Sequence, residues 1–112
     1  MKMLLVALCS TLLASCASAS WPTAVDSASI VDTPDRFLVL EVATGATSEP
    51  TGAACSNPLV DPRNGTRLSL IRSNAGHGDY QPDNLSYGLS AGRLLRIDCN
   101  TGRPLGATFG AP

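Results

Sequence analysis

Cys55 and Cys99 are the only cysteines beyond residue 16, and no other feature so limits what this chain can fold into. They stand 44 positions apart. A bridge over that distance would stabilise the fold by about 4 kcal/mol, chiefly by restricting the unfolded chain, less any strain in the native state. The chain needs such a staple because its core is thin. Aromatic residues are only 4%, and twenty Leu, Ile, Val and Phe lie between Val25 and Phe109. Turn formers are plentiful, with 10 Gly and 8 Pro. A single small domain with so few large apolar side chains is marginal without a cross-link.

Whether the bridge can form depends on the compartment, and the N-terminal sequence speaks to that. Behind Met1-Lys2 runs an apolar stretch from Met3 to Leu13, broken only by Ser10 and Thr11. As a helix it would rise about 16 Å, half of a bilayer core. It reads as the apolar part of an export signal and is set aside from the fold. The stretch closes in Leu13-Ala14-Ser15-Cys16, which resembles the lipobox of bacterial lipoproteins. That resemblance covers residues 1–16 only. It implies a diacylglyceryl thioether on Cys16, cleavage before it and acylation of the new amine. Membrane lipid is then a partner through the Cys16 anchor, and several acyl chains hold far more firmly than one. Ala17 rather than Asp after the cysteine points, in such lipoproteins, to the outer membrane, with the domain on its periplasmic face. A rival site, Ala17-Ser18-Ala19 before Ser20, would instead release a soluble periplasmic or secreted protein. Both routes export the chain into an oxidising space, where Cys55 and Cys99 are expected to pair. Cys9 leaves with the signal. Two cysteines and one histidine cannot close a four-ligand structural zinc site without carboxylates, and no metal or other cofactor is expected. Neither a C-x-x-C spacing nor a basic flank marks the pair as redox-active.

The chain thus divides into a signal peptide (1–15), a lipidated N-terminus and flexible tether (16–29) and a small β domain (30–112). Trp21 in the tether suits either the lipid headgroup interface or the domain edge. After residue 20 no 3.6-residue apolar period occurs. The expectation is mainly β: a small antiparallel sheet or partly open barrel with one disulfide. Residues 36–42 alternate with apolar side chains on both faces and predict a central strand. Residues 43–58 predict a long loop pinned by Cys55. Leu59-Val60 and residues 66–72, separated by Asp-Pro-Arg-Asn-Gly, predict a hairpin. Residues 73–92 predict irregular structure with one short strand near Tyr87. Residues 93–99 predict a strand with Leu95, Ile97 and Cys99 inward and Arg96 and Asp98 outward. Asn100-Thr101-Gly102 predicts a three-residue turn into an edge strand from Pro104 to Phe109.

Chemistry-bearing patterns are sparse. His77, the only histidine, has no nucleophile or orienting carboxylate in a recognisable arrangement, so no catalytic residue and no enzyme activity are expected. Asp79 and Asp83 fit no calcium loop and read as solvated turn residues. Beyond Lys2 the basic residues are seven Arg against nine acids. That balance leaves no basic field for nucleic acid and favours cross-strand ion pairs over polyanion binding. The segment 74–87 concentrates glycine with His77, Tyr80 and Tyr87, and these three are the candidate contact residues of a binding loop. The function expected is a non-catalytic binding or structural role in the cell envelope, toward an envelope protein or peptidoglycan. The alternative is a periplasmic inhibitor or immunity protein that blocks a hydrolase.

Overall fold

The computed structural model describes residues 25–27, 30–85 and 87–110. The stretch read as an export signal, Cys16, Trp21 and most of the stretch expected to be tether lie outside the described residues. The fold is mainly β, as expected: among the described residues, one open antiparallel sheet of seven strands, with a short 3₁₀ turn over Ala54–Ser56. The strands are β1 (Leu38–Leu40), β2 (Thr47–Ser48), β3 (Leu59–Val60), β4 (Arg67–Asn74), β5 (His77–Pro82), β6 (Arg93–Asp98) and β7 (Pro104–Phe109). Their spatial order is β2-β1-β3-β4-β5-β6-β7. From β3 onward every strand pairs with its successor. Only the β2–β3 connection steps across a strand, returning past β1 and carrying Cys55 with it.

Turn chemistry explains most of this order. Between β3 and β4 the Asp61 N–H donates to the Thr66 carbonyl and the Gly65 N–H to the Asp61 carbonyl, both at 2.8 Å. Between β6 and β7 the Asp98 carboxylate accepts the N–H groups of Asn100 and Thr101 at 2.8 and 3.0 Å. Gly102 then takes the left-handed conformation expected of it (φ 72°).

Several expectations are corrected. The first strand is three residues long and one place in from the edge, because the chain turns back after Leu40. Gly45 and Glu41 close that turn through a 2.7 Å backbone bond, and Val42 is left exposed. The stretch 43–58 is therefore not all loop, since it holds β2 and the 3₁₀ turn. The stretch 73–92 is not irregular at its start: β4 runs on to Asn74, and β5 follows after only Ala75-Gly76. Both turn residues have positive φ (44° and 91°), the mirror-image geometry that matches strand twist. Ala pays about 1–2 kcal/mol for that conformation, so Ala75 hid a turn that Asn would have announced. Tyr87 lies in a turn rather than a strand.

The core occupies one face. Leu68, Tyr80, Leu95 and Ile97 project there from β4, β5 and β6, and Phe37, Leu59, Tyr87 and Cys99 complete it. Phe37 meets Tyr87 edge to face, with ring centroids 5.8 Å apart. The disulfide joins Cys55 to Cys99 with a Cα–Cα separation of 5.4 Å. It ties the Ala54–Ser56 turn to the end of β6, as the inward parity of Cys99 requires. Gly78 sits beneath it on β5. A Cβ there would stand 2.8 Å from Leu70 Cδ1, 2.9 Å from Tyr80 Cε1 and 3.1 Å from Cys55 Sγ. Gly78 is therefore a packing residue of the disulfide, not a mark of a flexible loop.

Candidate functional site: an ordered arginine beside an open groove

The hairpin between β3 and β4 begins with Asp61, whose side chain is wholly buried. Its carboxylate gathers four donors. The Arg63 backbone N–H reaches Oδ1 at 2.8 Å, and Arg63 Nε reaches the same oxygen at 3.2 Å. Arg63 Nη2 and the Tyr87 hydroxyl donate to Oδ2 at 2.9 and 2.8 Å. Burial alone would raise the Asp61 pKa, but these donors outweigh it and hold the carboxyl below its ordinary value. Burial and the bond to Asp61 push the Tyr87 hydroxyl up to about 12, so it remains a donor throughout the physiological range. The geometry follows from sequence: a short acid two positions before Arg63 in a tight turn can accept both its backbone N–H and its side chain.

The consequence is a fixed guanidinium. Arg63 Nη2 also donates to the Asp32 carbonyl, which ties the hairpin to the chain entering β1. Between those two segments lies an open groove of about 440 Å³, lined by Thr33, Pro34, Asp35, Arg36, Pro62 and Arg63. Arg36 is ion-paired to Glu49 at 3.2 Å, and both side chains are largely exposed. The groove offers guanidinium donors, one carboxylate and two proline rings. That set suits a polar peptide segment better than an apolar small molecule.

A second polar group crosses the sheet on the face opposite the core. Register aligns Arg72, Asp79 and Arg96 on β4, β5 and β6. Arg72 Nε meets Asp79 Oδ2 at 2.6 Å. Arg96 Nε meets Oδ1 at 2.9 Å and Arg96 Nη2 meets Oδ2 at 3.2 Å. Arg72 Nη2 continues to the Phe109 carbonyl at 2.7 Å and so links β4 to the end of β7. The expected cross-strand pairing of Arg with acid is present. The expected setting is corrected twice, because Asp79 is a buried strand residue, not a turn residue, and Arg96 is buried rather than turned to solvent. A guanidinium bidentate to a carboxylate can leave water in a way that an unpaired Arg cannot.

Of the residues picked from sequence, the structure bonds Cys55 to Cys99 and gathers Tyr80 and Tyr87 into the same core cluster, while Cys16 lies outside the described residues. Tyr80 and Tyr87 are corrected from a contact loop to the core. Both are fully buried, with hydroxyls donating to the Ala54 carbonyl (3.2 Å) and to Asp61. His77 is half-buried at the start of β5, opposite Asp98 on the charged face. Burial and the nearby Arg96 lower its pKa, against smaller opposing effects of Asp79 and Asp98. Asp61 and Arg63 were missed, and so was Asp79 as the acid of the cross-strand pairing. Their only signals were an Asp-x-Arg spacing across a turn and charges at matched strand positions. Among the described residues no three His, Cys, Asp or Glu side chains are grouped as a metal site, and no helix is long and apolar enough to cross a membrane. Comparison of the chain with family models, with curated proteins and with solved structures finds no match in any of the three.

Proposed function

We propose that the chain is an exported, lipid-anchored component of the bacterial cell envelope that acts by binding, not by catalysis. The observation that carries this reading is the Cys55–Cys99 bond at the edge of the core. A disulfide closing a long loop is a device of oxidising compartments, and the Leu-Ala-Ser-Cys sequence ending at Cys16 supplies a route there. The binding surface assigned is the groove between Thr33–Arg36 and Pro62–Arg63, because Asp61 and Asp32 pre-organise one guanidinium beside it. Pre-organised donors lose little freedom on binding. The partner suited to it is a polar segment of an envelope protein or a peptidoglycan stem peptide. A hydrolase inhibitor would call for a protruding loop over 74–87, and with β5 occupying 77–82 no observation favours it.

The test has two parts. Fractionation and mass measurement of the N-terminal peptide should find the protein in membranes with lipid on Cys16. Cys16→Ser should abolish the modification and leave precursor, or a soluble product beginning at Ser20. Wild-type protein found soluble with Ser20 as its first residue would overturn the anchor. Affinity capture from an envelope extract should then recover a partner with wild-type protein and lose it with Arg36→Glu, which reverses an exposed charge and leaves the core untouched. Equal recovery by both would remove the groove from the reading.

A further inference from the structure

Residues 25–27 fall within the stretch expected to be tether, yet they are attached to the sheet. The Asp26 N–H donates to the Ala107 carbonyl at 2.6 Å, and the Ala107 N–H returns a bond to the Asp26 carbonyl at 3.1 Å. The Ser27 hydroxyl lies 3.5 Å from the Leu105 carbonyl. Arg93 reaches Asp26 at 3.6 Å and stacks over the Phe109 ring at 4.8 Å. Val25 packs against Gly106, where a side chain of any size would collide with it. The outer edge of β7 is thus the place where the chain from Cys16 joins the domain.

That edge is also apolar. Val25, Leu105 and Phe109 are 39%, 42% and 52% exposed, three of the large apolar side chains the fold leaves uncovered. Nine peptide units separate Cys16 from Val25, a reach of about 30 Å at full extension. A lipid on Cys16 would hold the β7 edge within that distance of the bilayer and leave the Arg63 groove, on the β1–β3 side of the sheet, farther along the chain's path from the anchor. We infer that the β7 edge, through Val25, Leu105 and Phe109, rests on the lipid surface to which Cys16 is attached, and so orients the domain. The inference rests on the lipid anchor proposed above. Apolar side chains at a sheet edge gain by entering the headgroup region, and the Phe109 ring, fixed by the Arg93 guanidinium stacked on it, supplies the largest of the three. The Asp26–Ala107 pairing limits the chain between anchor and sheet edge to nine peptide units and so favours this contact over free tumbling.

The experiment uses the mature, lipidated protein with its one native tryptophan removed (Trp21→Phe) and a single tryptophan introduced. Phe109→Trp and Leu105→Trp report the β7 edge. Val42→Trp reports the opposite end of the sheet, where Val42 is 60% exposed in the turn from β1 to β2. The proteins are incorporated in vesicles containing phospholipid brominated on its acyl chains. Quenching at position 109 or 105 should exceed that at 42 by about twofold or more, as for a side chain within several ångströms of the acyl boundary. Unchanged melting relative to Trp21→Phe identifies the variants that fold, and either edge position suffices. If the protein does not float with vesicles, the anchor itself fails. If it floats but the edge positions are quenched no more than position 42, the anchor stands and the inference is overturned. Edge tryptophans shielded from both bromolipid and aqueous iodide would overturn it in favour of a protein partner or a second copy on β7.

Discussion

The two faces of β5 and β6 are written by alternate residues of the same two strands, and they are equally removed from water at their centres. On one face Tyr80, Leu95 and Ile97 pack as a conventional core closed by the disulfide. On the other, Asp79 and Arg96 are just as buried and are held by ion pairs and hydrogen bonds. The apolar face tolerates loss of a methylene by partial collapse. The charged face has no such latitude, because removing one member strands the other. In a thin sheet the second face can be buried at its centre without being apolar, provided every charge finds its partner.

The largest effect is expected of Asp79→Ala, which leaves Arg96 buried and takes away the carboxylate that Arg72 also uses. A loss of about 3–5 kcal/mol is expected, read from urea unfolding. Replacing Asp79 and Arg96 together by Leu and Met should cost clearly less than Asp79→Ala alone. A double variant as unstable as the single one would mean that the charges themselves, not their pairing, are required.

Next comes the staple of the apolar face. Reduction, or Cys99→Ser, should lower stability by about 2–4 kcal/mol, a shift of the melting midpoint of roughly 10 °C or more in a domain of this size. Cys99→Ser should be the more damaging, since Cys99 is buried and Cys55 only partly so. Gly78→Ala should destabilise by about 1–3 kcal/mol through overpacking against Tyr80 and the bridge, and less in reduced protein if the sulfur can move away. Melting indifferent to reductant would remove the disulfide from this account.

Smaller still is the loss of one hydroxyl. Tyr87→Phe withdraws a donor from the buried Asp61 carboxylate and should cost about 1–3 kcal/mol, whereas Tyr80→Phe releases only a neutral carbonyl and should cost about 0.5–1.5 kcal/mol. Equal effects would show that Asp61 is adequately solvated by Arg63 alone.

The acid dependence separates the two regions by pH. The folded protein holds the His77 pKa below its ordinary value. The unfolded chain therefore takes up the proton first, and stability should decline as pH falls through about 6.5 toward the folded value. His77→Gln should remove that first decline. The Asp61 carboxyl is also held low. Its contribution is complete above the unfolded value near 4 and is lost as pH falls further, through the folded value. A second decline below about pH 4, weakened in Tyr87→Phe, is the expected result of an unfolding series from pH 8 to pH 2. A single decline unaffected by His77→Gln would show that the charged face does not sense protonation at His77.

Where a pattern was local, the sequence could be read. The hairpin across residues 61–65, the inward parity of Leu95, Ile97 and Cys99, and the turn at Asn100-Thr101-Gly102 are matters of neighbouring residues, and each stands in the structure. The β4–β5 hairpin escaped because Ala75 occupies a position that Asn or Gly usually signals. The candidate site was hardly legible at all. Asp61 and Arg63 looked like turn residues, and nothing near them told that a buried hydroxyl 26 positions away would meet Asp61.

The amino-acid sequence alone established an apolar run from Met3 to Leu13, made Cys55 and Cys99 available for one bridge, and called for strands and tight turns in the remainder. Those properties depend on apolar run length, cysteine count and two-residue alternation, all of which are read along the chain. Tertiary structure alone decided that the outward face of β5 and β6 would be buried, that Tyr80 and Tyr87 would be core residues, and that Arg63 would be held beside a groove. Alternation says which residues share a face, but burial of that face depends on what lies across it. A carboxylate finds its guanidinium, and a glycine its disulfide sulfur, only when strand register brings distant positions within a few ångströms.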